Sequence, residues 1–171
     1  MLKINLLKIP VFYINMTKDT NKNEYLSSKL KELGFESITR IDAIQDKKGI
    51  IGLSKSQNLA LSQIRPPFII LEDDCDPKYF TPEIEVPEDA DAVYLGNSPW
   101  GRLNGYHGLL TKTKKINENT YRVFNMLSSH AILYLTDSYV DICKRTTRYC
   151  IDTSNGCSLC RYTKILQCVC V

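Results

Sequence analysis

Four stretches of the chain are apolar without a break: Val11–Ile14, Phe68–Leu71, Ala92–Leu95 within Asp91–Gly96, and Ala131–Leu135. Short continuous apolar runs, instead of alternation, predict strands buried on both faces, as in a parallel sheet covered by helices. Between them the period changes. Leu26, Leu30 and Leu33 recur at i, i+4 and i+7, which predicts a helix over Glu24–Leu33, started by Asn21 or Asn23 and closed by Gly34. Phe35–Ile44 holds a strand centred on Ile38 and Ile41, so strand, helix and strand form a βαβ unit with a right-handed crossover. Ser54 caps a second predicted helix that runs to Ile64, and Pro66-Pro67 stops it. Thr136 caps a third over Asp137–Lys144, burying Val140 and Cys143. Leu109–Thr111 and Tyr121–Phe124 predict a hairpin across Asn117-Glu118-Asn119. Asp76–Asp89, rich in proline and acid, reads as irregular surface, and Asn97–Gly108 as a long loop with Trp100 at its centre. The expected architecture is one α/β domain over residues 1–150, a three-layer α/β/α arrangement around a mostly parallel sheet.

Composition changes this picture little. The chain has 171 residues, 43% apolar and 24% charged, which suits a single domain with a real core. A net charge of +3, with the basic residues scattered, gives no electrostatic footprint for nucleic acid. Met1–Pro10 is interrupted by Asn5, Lys8 and Pro10, so neither a signal peptide nor a membrane span is expected, and the expected location is the cytoplasm.

The candidate chemistry lies at the end of the second apolar run, where Phe68-Ile69-Ile70-Leu71 passes directly into Glu72-Asp73-Asp74. Three adjacent carboxylates repel one another and are tolerated in water or around a cation. In open α/β sheets ligands bind at the carboxyl ends of strands. The residues therefore suit either a divalent-ion site beneath a phosphorylated substrate or a solvated acidic turn.

The order of these pieces resembles glycosyltransferase family 25, which includes bacterial lipooligosaccharide and collagen galactosyltransferases and homologues from large DNA viruses. The matching segments are Tyr13-Ile14-Asn15, Arg40-Ile41-Asp42-Ala43, Gly52-Leu53-Ser54-Lys55-Ser56-Gln57, Ile70-Leu71-Glu72-Asp73-Asp74, Asp91-Ala92-Val93-Tyr94-Leu95-Gly96 and Ser128-Ser129-His130-Ala131. The resemblance implies a Rossmann-like fold of the GT-A type. It implies a hexose, galactose or glucose, moved from a nucleotide-diphosphate donor such as a UDP-hexose to a hydroxyl on a glycan, a lipid-linked glycan or a protein. It also implies a manganese or magnesium ion. Glu72 and Asp74 would hold the ion, with His130 either completing the shell or serving as a hydrogen-bonded core histidine. Asn15, Asp42 and Asp73 would contact the donor. Trp100 either stacks on a sugar face or plugs the core beneath its loop, and Asp91 is the candidate base, unless it only starts a strand. Two departures stand out. Met16-Thr17-Lys18-Asp19 replaces the family's Asp-and-arginine segment, leaving Lys18 and Lys22 as cations, and Ser56-Gln57 replaces a Ser-His pair.

Residues 151–171 depart further and form an aberrant, cysteine-rich tail. Cys157-x-x-Cys160 followed by Cys168-x-Cys170 invites a zinc reading, but the second spacing is shorter than structural zinc sites use. One back-translation of Arg161–Cys170, shifted by a base, reads Asp-Ile-Gln-Lys-Tyr-Tyr-Asn-Val-Tyr, close to the family's Tyr-rich segment. The expectation is a frameshift near Asn155 and a poorly ordered tail. A non-catalytic remnant that keeps a nucleotide-sugar-binding half is the alternative to an active enzyme.

Overall fold

A computed structural model describes residues 1–153 apart from Asn97, Gly105 and Ser128, together with the backbone of Cys168–Cys170. The cysteine-rich segment of the tail, and with it the zinc and frameshift readings, otherwise lies outside the described residues.

The chain opens with strand β1 (Leu2–Asn5) and a single 3₁₀ turn (Leu6–Lys8). A βαβ unit follows, as the apolar periods predict: β2 (Val11–Asn15), α1 (Thr20–Glu32) and β3 (Ile38–Asp42), with β2 and β3 parallel. Helix α1 begins before the expected Glu24, because Asn23 accepts a tertiary hydrogen bond from the Tyr13 hydroxyl at 2.6 Å instead of capping. Its end is as expected. Gly34 takes a φ of 89°, and the Phe35 N–H reaches back to the Leu30 carbonyl at 3.2 Å. Helix α2 (Gly49–Gln63) also starts early, at the N-cap Lys48. Ser54 lies inside it and donates to the Ile50 carbonyl at 2.9 Å. Gly52 lets the start of the helix lie against the preceding loop, since a Cβ there would stand 2.7 Å from the Ile44 carbonyl oxygen.

The rest of the chain supplies β4 (Phe68–Glu72), β5 (Glu83–Val86), β6 (Ala92–Tyr94), the short ribbon β7 (Gly101–Leu103) and β8 (Tyr106–Gly108), and β9 (Thr113–Lys115) with β10 (Tyr121–Val123). Then come β11 (Ala131–Tyr134), α3 (Asp137–Thr153) and β12 (Cys168–Cys170). The Tyr139 N–H bonds the Thr136 hydroxyl at 3.3 Å, so Thr136 caps α3, which continues well beyond Lys144 on its buried Thr146, Thr147 and Cys150.

The main sheet runs β3-β2-β4-β11-β6-β12-β10-β9. It is mixed, which corrects the expectation of a mostly parallel, GT-A-like sheet within three α/β/α layers. β11 lies antiparallel to both β4 and β6, and β10 antiparallel to both β12 and β9. An all-apolar strand buried on both faces carries no signal of its direction, so the run at Ala131–Leu135 suited either orientation. Helices α2 and α3 cover one face through Leu61, Tyr139, Val140 and Cys143, and Asn58 bonds the Lys144 carbonyl and Thr147 hydroxyl at 2.9 and 2.8 Å. The other face is shared by α1, through Leu26 and Leu30, and by a separate two-stranded sheet of β1 and β5, through Ile4, Ile84 and Val86. No helix among the described residues is long and apolar enough to cross a membrane.

Candidate metal centre

Strand β4 is buried from Phe68 to Leu71 and emerges at Glu72, level with Ile14 of β2. The chain then turns, with the Cys75 N–H on the Glu72 carbonyl at 3.1 Å. This turn sends the three acids in different directions. Asp73 swings toward α1 and is mostly buried, accepting from the Asn15 amide at 2.8 Å and from Lys22 at 3.0 Å. Glu72 and Asp74 face the start of β11.

The antiparallel course of β11 delivers the third group. Because β11 begins at the edge where β4 ends, the residue before it stands beside the acids. His130 accepts the Glu72 N–H through its carbonyl at 2.9 Å. Its Nδ1 lies 3.2 Å from Glu72 Oε2 and 3.7 Å from Asp74 Oδ1. Ser129 donates its hydroxyl to Glu72 Oε1. One ligand atom from each of Glu72, Asp74 and His130 lies within 4.8 Å of the others. The Glu72 side chain is 19% exposed, against 55% for Asp74 and 52% for His130. One carboxylate is thus fixed and two groups stand open to an arriving ion. His130 is an edge residue of the cluster and not a core histidine.

The acids form one wall of a cleft of about 370 Å³. Its other walls are the end of β2 with Met16 and Lys18, the loop Ala43–Asp46, and the first turns of α2 at Gly49, Gly52 and Leu53. Lys18 is the one cation lining it among the described residues. Ser56 has a packing role. Its hydroxyl donates to the Gly52 carbonyl and accepts the Ile44 N–H, both at 2.8 Å, and so binds the loop to the helix. Asp46 accepts from Lys55 at 2.7 Å and from the Lys48 N–H at 3.0 Å. These bonds, Lys55 first, hold its carboxyl below the usual range.

The remaining candidates sit elsewhere or are already engaged. Asn15 is buried, donates to Asp73 and to the Asp19 carbonyl at 3.1 Å, and accepts from Arg40 Nε at 3.1 Å. It supports Asp73 and has no free group for a donor. Asp42 lies at the same edge but is exposed, paired with Arg40, and lines a different surface groove. Trp100 is 53% exposed, lies off the cleft lining, and is tied through its backbone to Ser98 and Leu127. Asp91 is displaced farthest. It precedes β6, which runs parallel to β4, so it stands at the opposite edge, about five strand residues or ~16 Å from Glu72 along the strand direction and two strands across. There it accepts from Thr136 at 2.9 Å near the start of α3, which corrects its reading as a base. Sequence reasoning missed Ser129 and Arg40 as supports, because only the folded registers bring them to Glu72 and Asn15.

The chain was compared with protein-family models, curated proteins and solved structures. None matches.

Proposed function

We propose that the chain transfers a hexose from a nucleotide-diphosphate donor to a hydroxyl acceptor at a divalent ion held by Glu72, Asp74 and His130. One observation carries this reading: two carboxylates and an imidazole converge within 4.8 Å, and both acids line a cleft that Lys18 also lines. The donor set fits manganese, which accepts carboxylate oxygen and imidazole nitrogen alike, better than magnesium, which favours oxygen alone. The bound ion would neutralise charge on the departing diphosphate as a Lewis acid.

The protein's own residues prepare the site. Ser129 and the His130 carbonyl hold Glu72 in one orientation. Asn15 and Lys22 pin Asp73, and through it the turn that presents Asp74. Lys18, which also lines the cleft, offers a point charge to phosphate. The resemblance of the acid-bearing and neighbouring segments to glycosyltransferase family 25 supports the choice of a UDP-hexose as donor. The test is hydrolysis of UDP-galactose and UDP-glucose with and without manganese, in the native chain and in Asp74→Asn. Manganese-dependent hydrolysis that Asp74→Asn abolishes in a folded protein is the expected result. Equal rates in the two proteins overturn it, and manganese-dependent UDP binding without turnover marks a binding module instead of an enzyme.

A further inference from the structure

We infer that two copies of the chain join edge to edge through β3, in the register that sets Arg40 of each copy opposite Asp42 of the other. β3 is the end strand of the main sheet, and no described strand pairs with its outer side. The ladder with β2 fixes which backbone groups are left over. The Val11 N–H bonds the Ser37 carbonyl at 2.8 Å, and the Ala43 N–H bonds the Asn15 carbonyl at 2.9 Å. In a parallel pair such bonds come from alternate residues, so Ser37, Thr39, Ile41 and Ala43 face β2. Ile38, Arg40 and Asp42 therefore turn their N–H and C=O groups outward, where a further strand can take them.

The occupant is a second copy because this edge is complementary to itself. An antiparallel strand related by a two-fold axis must align outward-facing residues with one another. An axis at Arg40 or at Asp42 opposes like charges, and an axis at Thr39 sets Arg40 against Ile38. An axis at Ile41 pairs Arg40 with Asp42 on both sides, and opposite charges across strands are the favourable combination. The side chains are free to do this. Arg40 donates through Nε to Asn15 and through Nη2 to Thr17 and its own Asp42, while Nη1 has no partner among the described residues. The Asp42 side chain is 75% exposed. On the other face of the strand, Ile41 of one copy meets Ile41 of the other at the axis. That face borders a groove of about 560 Å³ lined by Phe12, Thr39, Ile41, Leu59 and Ile64, and the Thr39 and Ile41 side chains of the second copy lie along it. An edge carrying one sign of charge repels its own copy, whereas arginine and aspartate two residues apart admit one register and close the assembly at two chains. The joint also bears on the candidate metal centre, since Arg40 holds Asn15, and Asn15 holds Asp73 in the turn that presents Asp74.

Analytical ultracentrifugation of the full chain without ligand, from low to high micromolar concentration, tests this. A two-chain mass is expected at the upper end. Asp42→Arg sets arginine against arginine at both pairs, and Arg40→Asp sets aspartate against aspartate. Each variant alone should raise the dissociation constant by about tenfold or more, and an equimolar mixture of the two should recover the two-chain mass. Circular dichroism checks that each variant is folded. Because Arg40→Asp also loses the bond to Asn15, amide exchange in the native chain gives a reading that needs no variant. The N–H groups of Arg40 and Asp42 should exchange about tenfold more slowly as the dimer fills. A single-chain mass throughout, a dimer that Asp42→Arg leaves intact, exchange at Arg40 and Asp42 indifferent to concentration, or assemblies growing beyond two chains overturns the inference.

Discussion

Asn15→Ala is the most informative single substitution, because this buried amide joins the metal turn to the edge of the sheet. It removes donations to Asp73 at 2.8 Å and to the Asp19 carbonyl at 3.1 Å, and the acceptance from Arg40 at 3.1 Å. Two of the three bonds involve ionised partners, which contribute about 1.5–3 kcal/mol each, and the neutral one about 1 kcal/mol. Asp73 keeps Lys22 and Arg40 keeps Asp42, and both reach water, so the expected net loss is about 2–4 kcal/mol. At roughly 2–4 °C per kcal/mol for a domain of this size, the thermal midpoint should fall by about 5–15 °C. Urea unfolding followed by circular dichroism measures the loss, with the slope expected to stay unchanged. Asn15→Asp is the control. It retains an acceptor for Arg40 but places a carboxylate against Asp73, so it should be at least as destabilising at neutral pH. A loss below about 0.5 kcal/mol in Asn15→Ala, or a fully stable Asn15→Asp, would refute the bridging role.

Other outcomes follow from the same geometry. Gly52→Ala sets a Cβ 2.7 Å from a backbone oxygen, so overpacking should outweigh the gain in helix propensity and cost about 1–2 kcal/mol; a raised melting temperature contradicts this. Lys18→Met should weaken manganese-dependent UDP binding several-fold while leaving the melting temperature unchanged, and calorimetry with undiminished UDP affinity rules out its phosphate role. Burial, with Asp74, Asp76 and Glu72 adding, pushes the Cys75 thiol up to about 11. About one thiol in a thousand is then ionised at pH 8, and iodoacetamide mapped by peptide mass spectrometry should leave Cys75 unmodified under conditions that label an exposed cysteine. The lowered Asp46 carboxyl gives the loop Ala43–Asp46 and the start of α2 stability that is present above the ordinary aspartate range and lost as pH falls through its depressed value. Amide exchange at Lys48 should therefore accelerate in acid relative to the rest of α2, and a pH-independent ratio excludes the linkage.

Much of the framework was legible. The βαβ unit, the strand into Glu72, and the caps at Gly34 and Thr136 follow from local period and local chemistry. What stayed hidden was mostly long-range. β1 and β5 pair across more than seventy residues, and the expected surface segment concealed the alternation of Glu83-Ile84-Glu85-Val86, whose isoleucine and valine are buried. The direction of β11 was equally hidden, since Ala131–Tyr134 is buried throughout. That one unread direction decides the site. An antiparallel β11 brings His130 to Glu72, and the parallel course of β6 relative to β4 carries Asp91 away. The acids were readable as a group, and so was the separation of Asp73 from Glu72 and Asp74; the partners of Asp73 were not. The turn after Glu72 places Asp74 beside His130 and Asp73 on Asn15 and Lys22, and no spacing in the sequence names those last two partners.

The central claim is that Glu72, Asp74 and His130 together hold one divalent ion at the donor cleft. Electron paramagnetic resonance of manganese titrated into the native chain with UDP tests it most directly. One bound ion per chain is predicted, with binding lost in Asp74→Asn and nitrogen hyperfine coupling lost in His130→Ala. A titration with no bound ion, or one that neither substitution alters, would contradict the account.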